Sequence, residues 1–354
     1  MPRSTDLTAA DIQGVWAIVP TPSNADVDDL DAANTVDLDE AARAVDALIA
    51  AGVDGILSLG TFGECATLTW PEKRAFMATL ADAARGRVPV FGGTTTLNTR
   101  DTIAQTRELA GLGISGTMLG LPMWVRCDEQ NALRFYADVA AACPEIAICL
   151  YANPQAFKFD YPTSFWSAVS HIPQVVSAKY LSMARMGQDL EAVGGRIRLL
   201  PNEVEYRQAA QRFPEQATSF WSSAAVTGPA TVLQLRDAVA AARRSGDWHA
   251  AEAIDRAIRD AEAGFFPNGD FAEFSKYNIA LEKGRMDAAG WMRAGPTRAP
   301  YRDTPADYLA AAGRSGRAWA ALHTRYQAER EAERQAERQA GAQAGPQPHP
   351  QAAI

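Results

Sequence analysis

The sequence predicts an α/β fold, a (β/α)8 TIM barrel with a C-terminal helical region, on three observations. Short apolar runs alternate with longer segments of helical periodicity from Gly14 to Arg244, the apolar runs number eight, and strand signals stop beyond Arg244. Eight alternations suit a closed barrel better than an open doubly wound sheet. The 354 residues, 47% hydrophobic and 21% charged, suffice for a barrel of about 250 residues plus an appendage.

The candidate strands are Gly14–Pro20, Gly55–Leu59, Val88–Gly92, Gly116–Gly120, Ile146–Tyr151, Val175–Tyr180, Ile197–Pro201 and Thr218–Trp221. Amphipathic segments such as Asp39–Ala51, Pro71–Arg85, Thr99–Leu112, Asp128–Ala142 and Pro229–Arg244 lie between them, several opening on Asp, Pro or Thr, residues that favour a helix start. Trp248–Glu262, Phe271–Lys283 and Ala306–Tyr326 then read as helices. The domain reading is an N-terminal extension (1–13), the barrel (14–244), a helical region (245–326) and a tail (327–354). That tail repeats Ala-Glu-Arg-Gln and turns Gln/Ala/Gly/Pro-rich, which predicts a frayed helix followed by disorder.

A net charge of −8 offers no broad basic field for phosphate backbones, which argues against a nucleic-acid partner and for a small molecule. Met1–Asp11 has no apolar signal-peptide core, and Gln216–Leu235 is interrupted by Ser, Thr, Gly228 and Pro229, so no membrane span is expected and a cytoplasmic location is. Cys65, Cys127, Cys143 and Cys149 form no C-x-x-C pair, and His171, His249, His323 and His349 lie far apart, so neither a metal cage nor a disulfide framework is expected.

In such a barrel the reactive groups come from the C-terminal ends of strands. Only five of the 34 basic residues are lysine, and one of them, Lys179, sits in the strand pattern Val175-Val176-Ser177-Ala178-Lys179-Tyr180. A charge there is costly unless it faces a polar barrel mouth, and burial frees an amine to attack a carbonyl. A strand-end ion pair is the competing reading. Gly60-Thr61-Phe62-Gly63-Glu64 after the second strand can present backbone N–H groups to a carboxylate, or form a plain strand-to-helix loop. Tyr151 closes a buried run before Asn153-Pro154, as a proton relay or as a core tyrosine.

In this order and spacing, these residues resemble the dihydrodipicolinate synthase and N-acetylneuraminate lyase superfamily of pyruvate-handling class I aldolases. Gly60-Thr61-Phe62-Gly63-Glu64 is similar to that family's G-T-T/S-G-E, Tyr151-Ala152-Asn153-Pro154 to its Y-N-x-P, and Lys179 marks its Schiff-base strand. The resemblance implies carboxylate binding at Thr61 and Phe62, proton relay at Tyr151 and an imine at Lys179. Phe62 replaces the family's second hydroxyl, and Gln155-Ala156-Phe157 follows where the synthase carries an arginine, which argues against the synthase itself.

The altered loop, the tryptophan in Leu121-Pro122-Met123-Trp124, and Phe274-Ser275-Lys276-Tyr277-Asn278 resemble the benzylidenepyruvate hydratase-aldolases of polycyclic aromatic degradation, which act on 2′-hydroxy or 2′-carboxy substrates. That likeness implies that Trp124, Asn153 and Asn278 line the substrate and water sites, alongside packing and turn-capping readings of the same three residues. It also implies an aromatic 2-oxo acid and pyruvate as partners, a homotetramer of paired dimers, and no cofactor, because the lysine supplies the electron sink. The Ala/Arg-heavy composition resembles that of actinobacterial phenanthrene degraders, and that resemblance leans slightly toward the 2′-carboxy substrate, with Arg126 and Lys158 as candidate partners for it or as solvated loop residues. A sugar-acid aldolase or dehydratase and a noncatalytic 2-oxo acid-binding regulator are the rival functions; Phe62, Trp124, Phe157 and Phe159 argue against the sugar acid.

Overall fold

The computed structural model describes residues 7–343. Its eight strands are all parallel: β1 (Gly14–Val19), β2 (Gly55–Ser58), β3 (Val90–Gly93), β4 (Gly116–Leu119), β5 (Ala147–Tyr151), β6 (Val175–Lys179), β7 (Arg198–Leu200) and β8 (Ser219–Ser222). They follow the order 7-6-5-4-3-2-1-8. The two ends of that order meet through a parallel bridge between Asn202 and Trp221, where the Trp221 N–H donates to the Pro201 carbonyl at 3.0 Å. The sheet thus closes into a barrel. Every strand falls where the apolar runs place it, because strands covered on both faces need continuous rather than alternating hydrophobicity.

Nine helices form the outer layer among the described residues: α1 (Leu38–Ala51), α2 (Trp70–Ala84), α3 (Thr99–Gly111), α4 (Glu129–Ala142), α5 (Pro154–Phe157), α6 (Thr163–Val169), α7 (Met186–Val193), α8 (Glu203–Arg212) and α9 (Ala230–Ser245). Their starts are chemical: Asp37, Asn98, Asp128 and Asn202 accept backbone N–H bonds at the fronts of α1, α3, α4 and α8, and Thr69 with Glu72 makes a reciprocal cap on α2. The segments α5 to α8 are not among the amphipathic stretches named from the sequence. Two of them span only four and seven residues, too short to show a period of 3.6.

The C-terminal region contains α10 (His249–Glu262), α11 (Phe271–Ala289) and α12 (Ala306–Gln343), with α11 packed along α12 and against the turn that follows β8. Two boundaries differ from the expectation. Helix α11 passes through Gly284 to Ala289, since its buried Lys283, Arg285 and Met286 are held by tertiary contacts. Helix α12 continues beyond Tyr326 to Gln343, tied back to α9 where Arg330 bonds Asp237 and Gln234. Of the expected tail, residues 344–354 lie outside the described range, as do residues 1–6 of the N-terminal extension. No helix among the described residues is long and apolar enough to cross a membrane.

The β5–β6 pairing sets up the site. Tyr151 and Lys179 are register partners at the C-terminal ends of these strands, after a register shift at Ile148/Cys149. In-register neighbours on parallel strands project from the same face, so the phenol and the amine enter the barrel mouth together.

Candidate active site

Lys179 is 6% exposed, with its Nζ 4.4 Å from the Tyr151 ring centroid and 3.9 Å from that of Trp221. It makes no ion pair among the described residues, so the strand-end salt bridge considered from the sequence is absent. Instead the amine lies between two aromatic faces at the mouth of the barrel. Trp221, next to last in β8, is buried and is oriented by its indole N–H donating to the Tyr180 carbonyl at 3.3 Å. Sequence reading did not single it out, although its place at a strand end was a usable signal.

Tyr151 is buried, and its hydroxyl lies 2.8 Å from Thr61 Oγ1 and accepts from Asn153 Nδ2 at 3.4 Å. Burial pushes this phenol up, but the Lys179 charge and the bonds from Thr61 and Asn153 outweigh it and hold the group below its ordinary value. Phe157 packs edge-on against the ring at 5.2 Å. Asn153 also caps α5, accepting the Gln155 and Ala156 N–H groups at 3.1 Å, so the turn-capping reading and the contact with Tyr151 both hold.

The Gly60–Glu64 turn is held from behind. Glu64, fully buried and at φ +58°, bonds Lys283 Nζ at 2.8 Å, the Arg298 guanidinium, and the Arg298 backbone N–H at 2.8 Å. Thr21 donates to the Gly63 carbonyl at 2.8 Å. A Cβ on Gly63 would stand 2.8 Å from the Leu59 nitrogen, so the close return of the chain needs glycine there. These contacts fix Thr61 against Tyr151.

Two cavities, about 340 and 360 Å3, share Tyr151 and Asn278 in their walls. Thr61, Met123 and Tyr301 line the first; Lys179, Phe62, Asn153 and Trp221 line the second, with Phe265, Phe266, Phe271 and Phe274 from the C-terminal region. Asn278 Oδ1 is buried and accepts no hydrogen bond among the described residues. Six of the seven sequence-predicted residues therefore meet around the two cavities. Trp124 does not: it is 78% exposed and lines neither, because the chain turns outward after Met123 toward the Asp128 cap of α4. Arg126, paired with Asp160 at 2.9 Å, and Lys158 also line neither cavity.

The second cavity has a charged wall that sequence reading missed. Arg285, with no exposed surface, bonds Glu262 at 3.2 Å, Glu282 at 2.5 Å and Ser223 at 2.9 Å, and its guanidinium lies 4.3 Å from the Phe265 ring centroid. Glu203 completes the wall, accepting from Ser222 Oγ at 3.1 Å and the Ala224 N–H at 3.0 Å. Burial pushes Glu262 up to about 8 and raises Glu282 as well, outweighing the pull of an arginine they share. Among the described residues no three His, Cys, Asp or Glu side chains converge as metal ligands, and all four cysteines are free thiols.

Comparison with known proteins agrees with this geometry. Residues 23–301 match the model of the dihydrodipicolinate synthetase family. The chain is 59% identical over 324 residues to a trans-O-hydroxybenzylidenepyruvate hydratase-aldolase of Pseudomonas putida, covering 92% of this chain and 98% of that protein. It is 40% identical over 329 residues to a trans-2′-carboxybenzalpyruvate hydratase-aldolase of Nocardioides sp. (strain KP7), with the same coverage of 92% and 98%. Among solved structures, PhdJ bound to a substrate intermediate superposes with a TM-score of 0.88 at 48% identity, over 91% of this chain and 99% of that one. The chain belongs to the dihydrodipicolinate synthetase family and, within it, to the hydratase-aldolases, which makes it a lyase.

Proposed function

We propose that this chain is a Schiff-base hydratase-aldolase that converts an ortho-substituted benzylidenepyruvate and water to an aromatic aldehyde and pyruvate. The observation that carries this reading is the buried Lys179 amine, without an acidic partner among the described residues and flanked by the hydrogen-bonded Tyr151 phenol and an aromatic-lined cavity. The hydratase-aldolases it matches act, by their names, on aryl 2-oxo acids of this kind.

Lys179 attacks the ketone and expels water, giving an iminium conjugated to the alkene. Water then adds at the benzylic carbon while the π electrons move through the adjacent carbon onto nitrogen, leaving an enamine. Protonation of that carbon restores the iminium. Loss of the benzylic hydroxyl proton next drives the C–C electrons into the iminium, releasing the aldehyde and a pyruvate enamine, which is protonated and hydrolysed. Tyr151, bridged to Thr61, shuttles these protons, a contribution of about 10²–10⁴-fold for a positioned acid–base group. The turn at Thr61 and Phe62 holds the pyruvyl carboxylate. The rings of Phe265, Phe266, Phe271 and Phe274 suit an aryl ring better than the polyhydroxylated chain of a sugar acid.

Borohydride reduction in the presence of pyruvate, followed by mass mapping, tests the assignment. A stable adduct on Lys179 is the expected result; one on a different lysine, or none, refutes it. Assembly as a homotetramer of paired dimers belongs to the same proposal and is checked by light scattering.

A further inference from the structure

A third cavity, of about 200 Å3, lies outside the barrel, where α1, the front of α9, Trp291 and α12 meet. None of its lining residues borders the other two cavities, and part of its wall is the stretch of α12 that continues past Tyr326. Ala47 and Ala51, one helical turn apart on α1, are small enough to leave room beside Leu233. The Trp291 indole is held in place: the Arg43 guanidinium lies 5.4 Å from its ring centroid and donates to its carbonyl at 2.7 Å.

The polar groups of this groove are set to donate. His323 Nδ1 accepts the Ala230 N–H at 3.2 Å, and burial draws the imidazole below its ordinary value, so at neutral pH the ring is uncharged and Nε2 carries the hydrogen. That N–H has no acceptor among the described residues. Gly228 makes the seat possible, since a Cβ there would stand 2.4 Å from His323 Cγ. Arg330 is anchored to Asp237 at 2.5 Å and to Gln234 at 3.3 Å, whereas Arg334, one turn further on, bonds no carboxylate among the described residues. Glu331, the one acid lining the groove among those residues, accepts from Gln327 Nε2 at 3.0 Å.

We infer that this groove binds a small aromatic carboxylate, its ring against Trp291, Leu233 and the two alanines and its carboxylate between the His323 Nε2–H and the Arg334 guanidinium. A neutral donor and a cation side by side match the two oxygens of one carboxylate. Arg330 is balanced by Asp237 and Glu331 is engaged by Gln327, which leaves the Arg334 charge to the ligand. The volume is below the roughly 300–1,000 Å3 of pockets for drug-sized ligands, so it suits a single ring rather than a peptide segment. The site is independent of the reaction proposed at Lys179.

The test is equilibrium dialysis of the full chain with benzoate and with benzamide, its uncharged counterpart, in wild type, Arg334→Ala and Ala47→Phe. The first variant removes the cation and the second fills the floor. We expect saturable binding of one benzoate per chain, benzamide at least tenfold weaker, and at least a tenfold loss of benzoate affinity in each variant, with turnover of a benzylidenepyruvate unchanged. Arg334 is exposed, so its loss leaves the fold intact and decides the matter even if Ala47→Phe does not fold. No saturable binding in wild type, the result if a second copy of the chain covers the groove, overturns the inference. So does benzamide binding as tightly as benzoate, or an affinity that Arg334→Ala leaves unchanged, which would place the benzoate elsewhere on the chain.

Discussion

Glu64→Gln tests how firmly the turn that positions Thr61 depends on buried charge. In the native chain one carboxylate with no exposed surface receives the Lys283 ammonium, the Arg298 guanidinium and the Arg298 backbone N–H. Glutamine keeps the shape but leaves one carbonyl oxygen and turns an NH2 donor toward two cations. Removing one partner from a buried ion pair costs about 3–5 kcal/mol. Lys283 keeps the carbonyls of Thr21 and Pro296 and the Ser23 hydroxyl as acceptors, and burial already draws its ammonium below the usual range, so the lower end, about 3 kcal/mol, applies. The displaced turn also loosens the 2.8 Å bond from Thr61 to Tyr151, so kcat falls together with stability. Urea unfolding at constant slope, beside turnover of a benzylidenepyruvate, measures both. A variant within about 0.5 kcal/mol of wild type, the range of an ordinary surface change, refutes the claim that this triad holds the site.

Tyr151→Phe is expected to keep borohydride-trappable imine at Lys179 while kcat drops by about 10²–10⁴-fold; unchanged turnover removes the phenol from the proton path. Gly93→Ala would set a Cβ 2.1 Å from the Leu59 carbonyl oxygen, a backbone atom just before the Gly60–Glu64 turn, and should destabilise by about 1–3 kcal/mol in urea titration. Glu262 titrates near 8 in the fold against 4.5 when unfolded, so between these values the folded chain binds more protons and stability falls as pH rises. Above about pH 8 that contribution is gone. Glu262→Gln should flatten the slope of unfolding midpoint against pH between 5 and 8, and a slope equal to that of wild type would contradict the assignment.

The barrel was legible because its strands are covered on both faces, so hydrophobic runs alone locate them. Lys179, Tyr151 and the Gly60–Glu64 turn were legible for a related reason: polar residues at the ends of such runs stand out against apolar neighbours. The charged wall was not. Glu262, Glu282 and Arg285 lie on helices whose polar residues read as solvated, and only the docking of α11 over the barrel mouth turns that face inward. Trp124 misled in the opposite sense, since an aromatic after a strand suggests a lining residue whereas the local loop carries it outward.

The register shift at Ile148/Cys149 makes the pairing of phenol and amine a matter of parity. Along a strand, consecutive side chains alternate between the barrel interior and the helical layer, so deleting one residue between the shift and Tyr151 would swing the hydroxyl to the outside while leaving the strand apolar and paired. A chain altered in this way would keep its hydrophobic pattern and its eight-strand count and still lose the proton path, so length between Cys149 and Tyr151 is constrained as tightly as the identity of either reacting side chain.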